Sequence, residues 1–466
     1  MHILLLNPPA QRPESASLLV PPLGLAYIAA VLQRAGYQVK IKDAYAERMS
    51  WEALASYLKA EQPDILGLSS VTHTIEATAK AMSLARPQVN TIIVGGPHIS
   101  AWGNQIFQQY PEIDLGVVGE GEETIVELVA ALAAGRSPAG IPGVIGKDFV
   151  GPRRPLIRDL NGLPFPARGL LPLDSYHYAL SKKRRFTTLF TSRGCPYHCI
   201  FCDKSIFGSR WRARSASNIL AEIDELVQRF HITSLIIYDD LFTLNNDRVK
   251  AVCEGILQRG YQLDWKCESR VNLVDLETLK LMKRAGCSLV AYGVESGNQH
   301  GLDYLNKKIT VEQIRRAFAL THQVGLETMA YFILGLPVES YADELRTIEF
   351  AKEIDPTYVQ FSTLSPYYGT RLYEEAQERK WYTEVETFGP MDKGHKRPLI
   401  LAPQWNMDDL QRILRRAHRS FYFRPNYILK RLAAIKSFSQ LTNACQGGLD
   451  LLRWITKKRS LPANSR

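Results

Sequence analysis

A chain of 466 residues exceeds what one hydrophobic core ordinarily fills, so two domains with extensions are expected. Apolar residues at 45% and charged residues at 22% exclude a disordered chain, and seven cysteines, four of them scattered, exclude a disulfide framework. The formal charge of +10 sits at one end, because Trp405 to Arg466 carries 13 Lys plus Arg against 3 Asp.

The amino terminus has no basic leader and its apolar run breaks at Pro8, unlike a signal peptide. The longest uncharged stretch, Leu18 to Leu32, is interrupted by Pro21, Pro22 and Gly24 and is shorter than the roughly 20 residues a membrane span needs. A reducing cytoplasm is the expected compartment, with Cys253, Cys267, Cys287 and Cys445 as small buried apolar residues. Residues 1–135 alternate short apolar runs with helical patterns. Strands are expected at Met1 to Leu6, Gln38 to Asp43, Asp64 to Ser69, Thr91 to Gly95 and Asp114 to Gly119. Helices should begin near Leu23, Trp51, Ile75, Ala101 and Glu122. Strands joined by helices make a doubly wound parallel sheet, whose ligands sit beyond the carboxyl ends of the strands. Ser69, Ser70, Gly95, Gly96 and the run Gly119-Glu120-Gly121-Glu122 lie at those ends. Small residues there admit a large ligand to the backbone, or simply make tight turns.

Residues 136–184, rich in Pro, Gly and Arg, read as a linker. Next comes Arg-Gly-Cys-Pro-Tyr-His-Cys-Ile-Phe-Cys, a Cys-x3-Cys-x2-Cys triplet of Cys195, Cys199 and Cys202. Three thiolates on one short loop can hold three irons of a cubane and leave the fourth open. Zinc normally wants a fourth ligand, and His198, caught between two cysteines, would have to fold back on its own loop. Strands then recur at Phe186 to Thr191, Ser234 to Tyr238, Leu263 to Glu268, Leu289 to Gly293, Thr328 to Leu334 and Tyr358 to Thr363, with helices between them. Barrels place reactive groups at the carboxyl ends of strands, here Asp239-Asp240, Glu268-Ser269-Arg270, Glu295-Ser296, Gly335-Leu336-Pro337 and Ser365-Pro366-Tyr367. In residues 401–466, Arg412, Arg415, Arg416 and Arg419 recur at helical spacing ahead of Phe421-Tyr422-Phe423. That pattern fits a helix packing its aromatics on the barrel with arginines in water; a lipid or RNA surface is the alternative. Lys457-Lys458-Arg459 reads as a frayed end.

The triplet, with Phe201 before its last cysteine, resembles the radical S-adenosylmethionine (SAM) superfamily. The resemblance implies a [4Fe-4S] cluster on Cys195, Cys199 and Cys202 inside a partial (β/α)6 TIM-type barrel, residues 185–400, followed by a basic helical extension. SAM on the open iron would yield a 5′-deoxyadenosyl radical. A zwitterion with a ribose diol wants carboxylates, hydroxyls and a cation. The SAM candidates are therefore Phe201, Asp239, Asp240, Arg270, Glu295 and Ser296, with Gly335 and Pro337 beside the adenine. Tyr238-Asp239-Asp240 stands where the superfamily commonly has Gly-Gly-Glu. The first domain resembles the Rossmann-like cobalamin-binding domain of one branch, which implies cobalamin along Ser69, Ser70, Gly95, Gly96, Gly119, Glu120 and Gly121. The Asp-x-His-x-x-Gly signature is missing after the first strand, so cobalt should lack a histidine ligand; His73 and His98 read as polar loop residues. Pro164-Phe165-Pro166-Ala167-Arg168 resembles the branch's connector.

The implied activity is methylation of an unactivated carbon. Oxidative cyclisation or ring rearrangement, as in a tetrapyrrole cyclase, is the alternative. A methylthiotransferase is disfavoured because residues 1–194 hold no cysteine. A non-catalytic RNA- or membrane-binding protein is the other class. Implied partners are a small-molecule substrate (lipid, tetrapyrrole or specialised metabolite) and an external electron donor such as flavodoxin or ferredoxin. The basic extension adds the option of peripheral membrane contact, while nucleic acid is not expected.

Overall fold

The computed structural model describes residues 1–9, 18–181, 183, 185–385, 397–434, 447–449 and 451–456. Cys445 and Lys457 to Arg459 lie outside the described residues.

Five parallel strands open the first domain: β1 (His2–Asn7), β2 (Gln38–Asp43), β3 (Ile65–Ser69), β4 (Thr91–Gly95) and β5 (Leu115–Val117). Their order is 2-1-3-4-5, with register pairs such as Leu5 to Ile41 and Leu5 to Gly67. Alternation along His2–Asn7 sends Leu4 and Leu6 into one apolar cluster and Ile3 and Leu5 into another. Helices therefore cover both faces. α1 (Leu23–Arg34) and Glu122–Ala133 share a cluster with Ile3, while Trp51–Glu61 and Ile75–Ala85 pack on the side of Leu4. Such a parallel sheet, buried on both faces, needs strands that read as nearly continuous apolar runs. The helix expected near Ala101 begins earlier, at Pro97, and runs to Trp102.

The second sheet contains β6 (Phe186–Leu189), β7 (Ser234–Ile237), β8 (Asp264–Ser269), β9 (Cys287–Glu295), β10 (Glu327–Leu334) and β11 (Tyr358–Thr363). All neighbours are parallel in sequence order, and β6 does not pair with β11, so the barrel is partial. Its helices are well capped. Thr310 and Gln313 form a reciprocal capping box, as do Ser340 and Asp343. Cys253, Cys267 and Cys287 are buried in the barrel core.

Residues 136–184 are more than a linker. Val144–Gly146 adds an antiparallel edge strand beside Leu115–Val117, and His177–Tyr178 pairs antiparallel with Leu18–Leu19. Within the connector, buried Arg168 forms a 2.6 Å ion pair with Glu222 on the first barrel helix. The Tyr176 hydroxyl donates to Asp43 Oδ2 at 2.7 Å. Helix Met407–Tyr422 buries Leu410, Ile413, Leu414, Ala417, His418 and Phe421, while Arg412, Arg416 and Arg419 stay exposed. Tyr422 is fixed by bonds to both the N–H and the carbonyl of Val359, so this helix packs its aromatics on the barrel. No described helix is long and apolar enough to cross a membrane.

Candidate active site at the barrel mouth

The cysteine loop follows β6 and is bracketed by a short ribbon in which Ser192–Arg193 pairs with Arg212–Ala213. Gly194 has φ +83°, and a Cβ there would lie 2.4 Å from the Arg210 carbonyl, so the loop's first turn requires glycine. Lys204 Nζ donates to the carbonyls of Cys195, at 2.9 Å, and of Tyr197. From outside, Leu305 accepts from the Ile200 N–H at 3.1 Å, and Asn306 donates to the His198 carbonyl at 2.6 Å. The Arg270 guanidinium lies 3.6 Å from the Tyr197 ring centroid, with Nη1 3.8 Å from Cys199 Sγ.

Cys195, Cys199 and Cys202 are free thiols and line one cavity of about 370 Å³. Phe201, Asp240, Glu268, Arg270, Glu295, Lys307 and Tyr331 line it too, and Pro97 reaches it from the first domain. Burial raises the Cys195 thiol and pushes Cys202 up to about 12, so iron must displace both protons on binding. Among the described residues no three His, Cys, Asp or Glu side chains gather on one point as a single ion requires. A cubane takes one cysteine sulfur per ligated iron, so three separate cysteines fit it and leave the fourth iron open.

The mouth is rich in charge. Lys307 Nζ and Glu295 Oε1 form a buried 2.6 Å ion pair. Burial, then the neighbouring Asp239, raises the Asp240 carboxyl. Glu268 faces the cavity, yet the surrounding protein shuts out enough bulk water to push its carboxyl up to about 7. Tyr331 donates to it at 3.3 Å. These cations, carboxylates and the Phe201 ring are groups of the kinds that a zwitterionic ligand with a diol can pair with. Lys307 has no sequence signal, since it stands in a turn between left-handed Asn306 and Lys308. Glu268 and Tyr331 follow from strand position alone.

Four SAM candidates are not brought to the cavity. Asp239 is turned inward, accepting from the Thr191 N–H at 2.6 Å and the Ser192 hydroxyl at 2.6 Å. Ser296 is fully buried and donates to Glu339 at 2.6 Å. A Cβ at Gly335 would strike Leu410 of helix Met407–Tyr422 at 2.3 Å. The Pro337 carbonyl accepts from Gln404. The extension thus covers the loop expected beside the adenine.

Along the first domain's carboxyl edge, Gly96 has φ +96°, and a Cβ there would sit 2.7 Å from both Ser69 Oγ and the Ser70 carbonyl. At Gly119, φ +77°, a Cβ would meet nothing within 4 Å. This bare edge, with Gly95 and Gly121 partly open and Ser69 exposed, fits a large ligand that approaches backbone. Ser70 is almost wholly buried and stands behind the edge, its N–H donating to the Gly95 carbonyl at 3.0 Å. Glu120 is no part of that edge: it turns away and accepts from Arg193 at 2.8 Å and Arg212 at 2.7 Å. His98 is a buried helix residue, not a loop residue, and burial lowers its pKa to about 4.

Residues 14–129 match the B12 binding domain family and residues 189–351 the radical SAM superfamily. The chain is 35% identical over 451 residues to an uncharacterized methyltransferase of Pyrococcus horikoshii, covering 92% of this chain and 94% of that protein. It is 30% identical over 382 residues to the anaerobic magnesium-protoporphyrin IX monomethyl ester cyclase of Rubrivivax gelatinosus, covering 79% and 68% respectively. In fold it is similar to the radical SAM methyltransferase TsrM of Kitasatospora setae, solved with cobalamin and a [4Fe-4S] cluster bound. That match has TM-score 0.73 and 18% identity and covers 97% of this chain and 98% of the other.

Proposed function

The chain belongs to the radical SAM enzymes that carry a B12-binding domain ahead of the barrel, and from this premise we propose that it methylates an unactivated carbon of a small molecule held between the two domains. One observation carries the reading: Pro97, next to the glycine pair of the first domain, lines the same cavity as all three cluster cysteines.

Cys195, Cys199 and Cys202 would hold the [4Fe-4S] cluster, and the edge from Ser69 to Gly96 with Gly119 and Gly121 would hold cobalamin. Bound there, the cluster supplies an electron for SAM cleavage and cobalamin carries the methyl group. Arg270 and Lys307 offer cations to the SAM carboxylate, while Asp240 and Glu295 offer acceptors to its amino group and ribose. Glu268 keeps a proton up to about neutral pH and can donate a hydrogen bond within the cavity. Phe201, Phe207, Leu241 and Ala291 line the remaining wall and exclude water from a reactive radical. His198, on the same loop as the cluster cysteines, is exposed, which supports reduction by an external donor such as flavodoxin or ferredoxin. Free thiols and such a donor suit the cytoplasm.

The similarity to the cyclase supports a second reading, oxidative ring formation. Methyl-deuterated SAM separates the two when product is weighed. Label retained in the product means methyl transfer, and an unlabelled, oxidised product means cyclisation.

A further inference from the structure

We propose that Glu120, Glu122, Arg193 and Arg212 form a positioning quartet that locks the cluster loop to the B12-binding domain and so sets the separation of the two cofactors. Arg193 stands two residues before Cys195, on the ribbon that opens the cluster loop, and Arg212 is its cross-strand partner. Both carboxylates come from the other domain, Glu120 from the turn that follows β5 and Glu122 from the first position of the helix Glu122–Ala133. Arg193 spans them, with Nη1 2.8 Å from Glu120 and Nη2 2.6 Å from Glu122. Arg212 Nη1 closes the unit at 2.7 Å from the second oxygen of Glu120, which also accepts from the Ile157 N–H at 2.9 Å. The Tyr27 and Phe207 rings hold the Arg193 guanidinium at 5.3 and 5.2 Å.

Exposure decides between a surface ornament and a device. The four side chains are 2 to 6% exposed, and their charges cancel. Buried ion pairs are seldom more stabilising than well-packed apolar residues of the same volume, so stability alone is a poor reason to bury four charges. What they provide is directional geometry, since a guanidinium spanning two carboxylates tolerates little displacement. Glu120 lies between Gly119 and Gly121, both on the bare edge assigned to cobalamin. One turn therefore borders the cobalamin edge with its backbone and grips the cluster loop with its side chains. A shift of about 1 Å between reacting groups can cost about a hundredfold in rate, which gives such a lock its purpose. The proposal rests on both cofactors binding and is independent of what is methylated.

The test uses Glu122→Gln, and Arg193→Lys as a milder second variant, in anaerobically reconstituted full-length protein. Iron and cobalamin contents come first; a wild type that binds only one cofactor would defeat the functional reading, not the quartet. The readout is the relaxation that the reduced cluster imposes on the cob(II)alamin electron-spin signal, which falls steeply with separation. Variants that load both cofactors should show that enhancement altered several-fold from wild type. An unchanged enhancement in the loaded variants overturns the proposal. So does failure of both variants to fold or load, because the quartet would then be a folding element alone.

Discussion

The two sides that meet near Pro97 are built on opposite principles. The first domain presents a bare edge of glycines and small residues, whereas the barrel mouth is crowded with free cysteines, carboxylates and cations, Lys307 and Glu295 among them already paired. A glycine edge suits a broad, rigid ligand gripped through backbone, and a charged mouth suits a small zwitterion read by its functional groups. That difference in chemistry supports the proposal of a separate cofactor for each side.

Breaking the charged wall at its metal should have the largest effect. Cys199→Ala should abolish reductant-dependent formation of 5′-deoxyadenosine, a loss of at least about a millionfold, with iron content measured in parallel. Breaking the bare wall should be selective. Gly96→Val places carbon where Ser69 and Ser70 stand only 2.7 Å away and adds about 1–3 kcal/mol of backbone strain at a φ, ψ pair that essentially only glycine adopts. It should strip cobalamin from the protein, read by visible absorbance, while the cluster signal persists.

Lys307→Met leaves Glu295 buried and unpaired, and should cost about 3–5 kcal/mol in denaturant unfolding. A smaller effect concerns pH. The folded-state pKa of Glu268 is raised from 4.5 to about 7, so the native state binds more protons than the unfolded chain across that interval. Stability should therefore fall as pH rises from 4.5 to about 7, and Glu268→Gln should flatten that slope in unfolding curves taken across pH. Smallest of all, Arg412→Ala removes an exposed arginine paired at 2.9 Å with Asp409 on helix Met407–Tyr422, and should change stability by less than about 0.5 kcal/mol.

The cluster loop was legible because its chemistry is local: three cysteines on eight consecutive residues need no tertiary information. The parallel strands were legible too, since burial on both faces writes runs such as Ile-Leu-Leu-Leu directly into the chain. Pairing across distance was not. Glu120 sits in a glycine turn that points to cobalamin, yet its partners are 73 and 92 residues away. Asp239 and Asp240 are adjacent acids beyond the end of β7, and only the folded loop decides that one supports Thr191 and Ser192 while the other faces the cavity. Gly335 and Pro337 stand outside the cavity because Leu410 and Gln404 arrive from an extension that composition marks only as basic. Val144–Gly146 is too short to show a period.

The most direct test is to purify the full chain without oxygen, load it, reduce it, add SAM, and assay cluster, cobalamin and 5′-deoxyadenosine in the same sample. The account predicts a cubane and a cobalamin on each chain, with 5′-deoxyadenosine formed only when reductant is present. A chain that holds zinc on its cysteines, or an assembled cubane that leaves SAM intact, would contradict it.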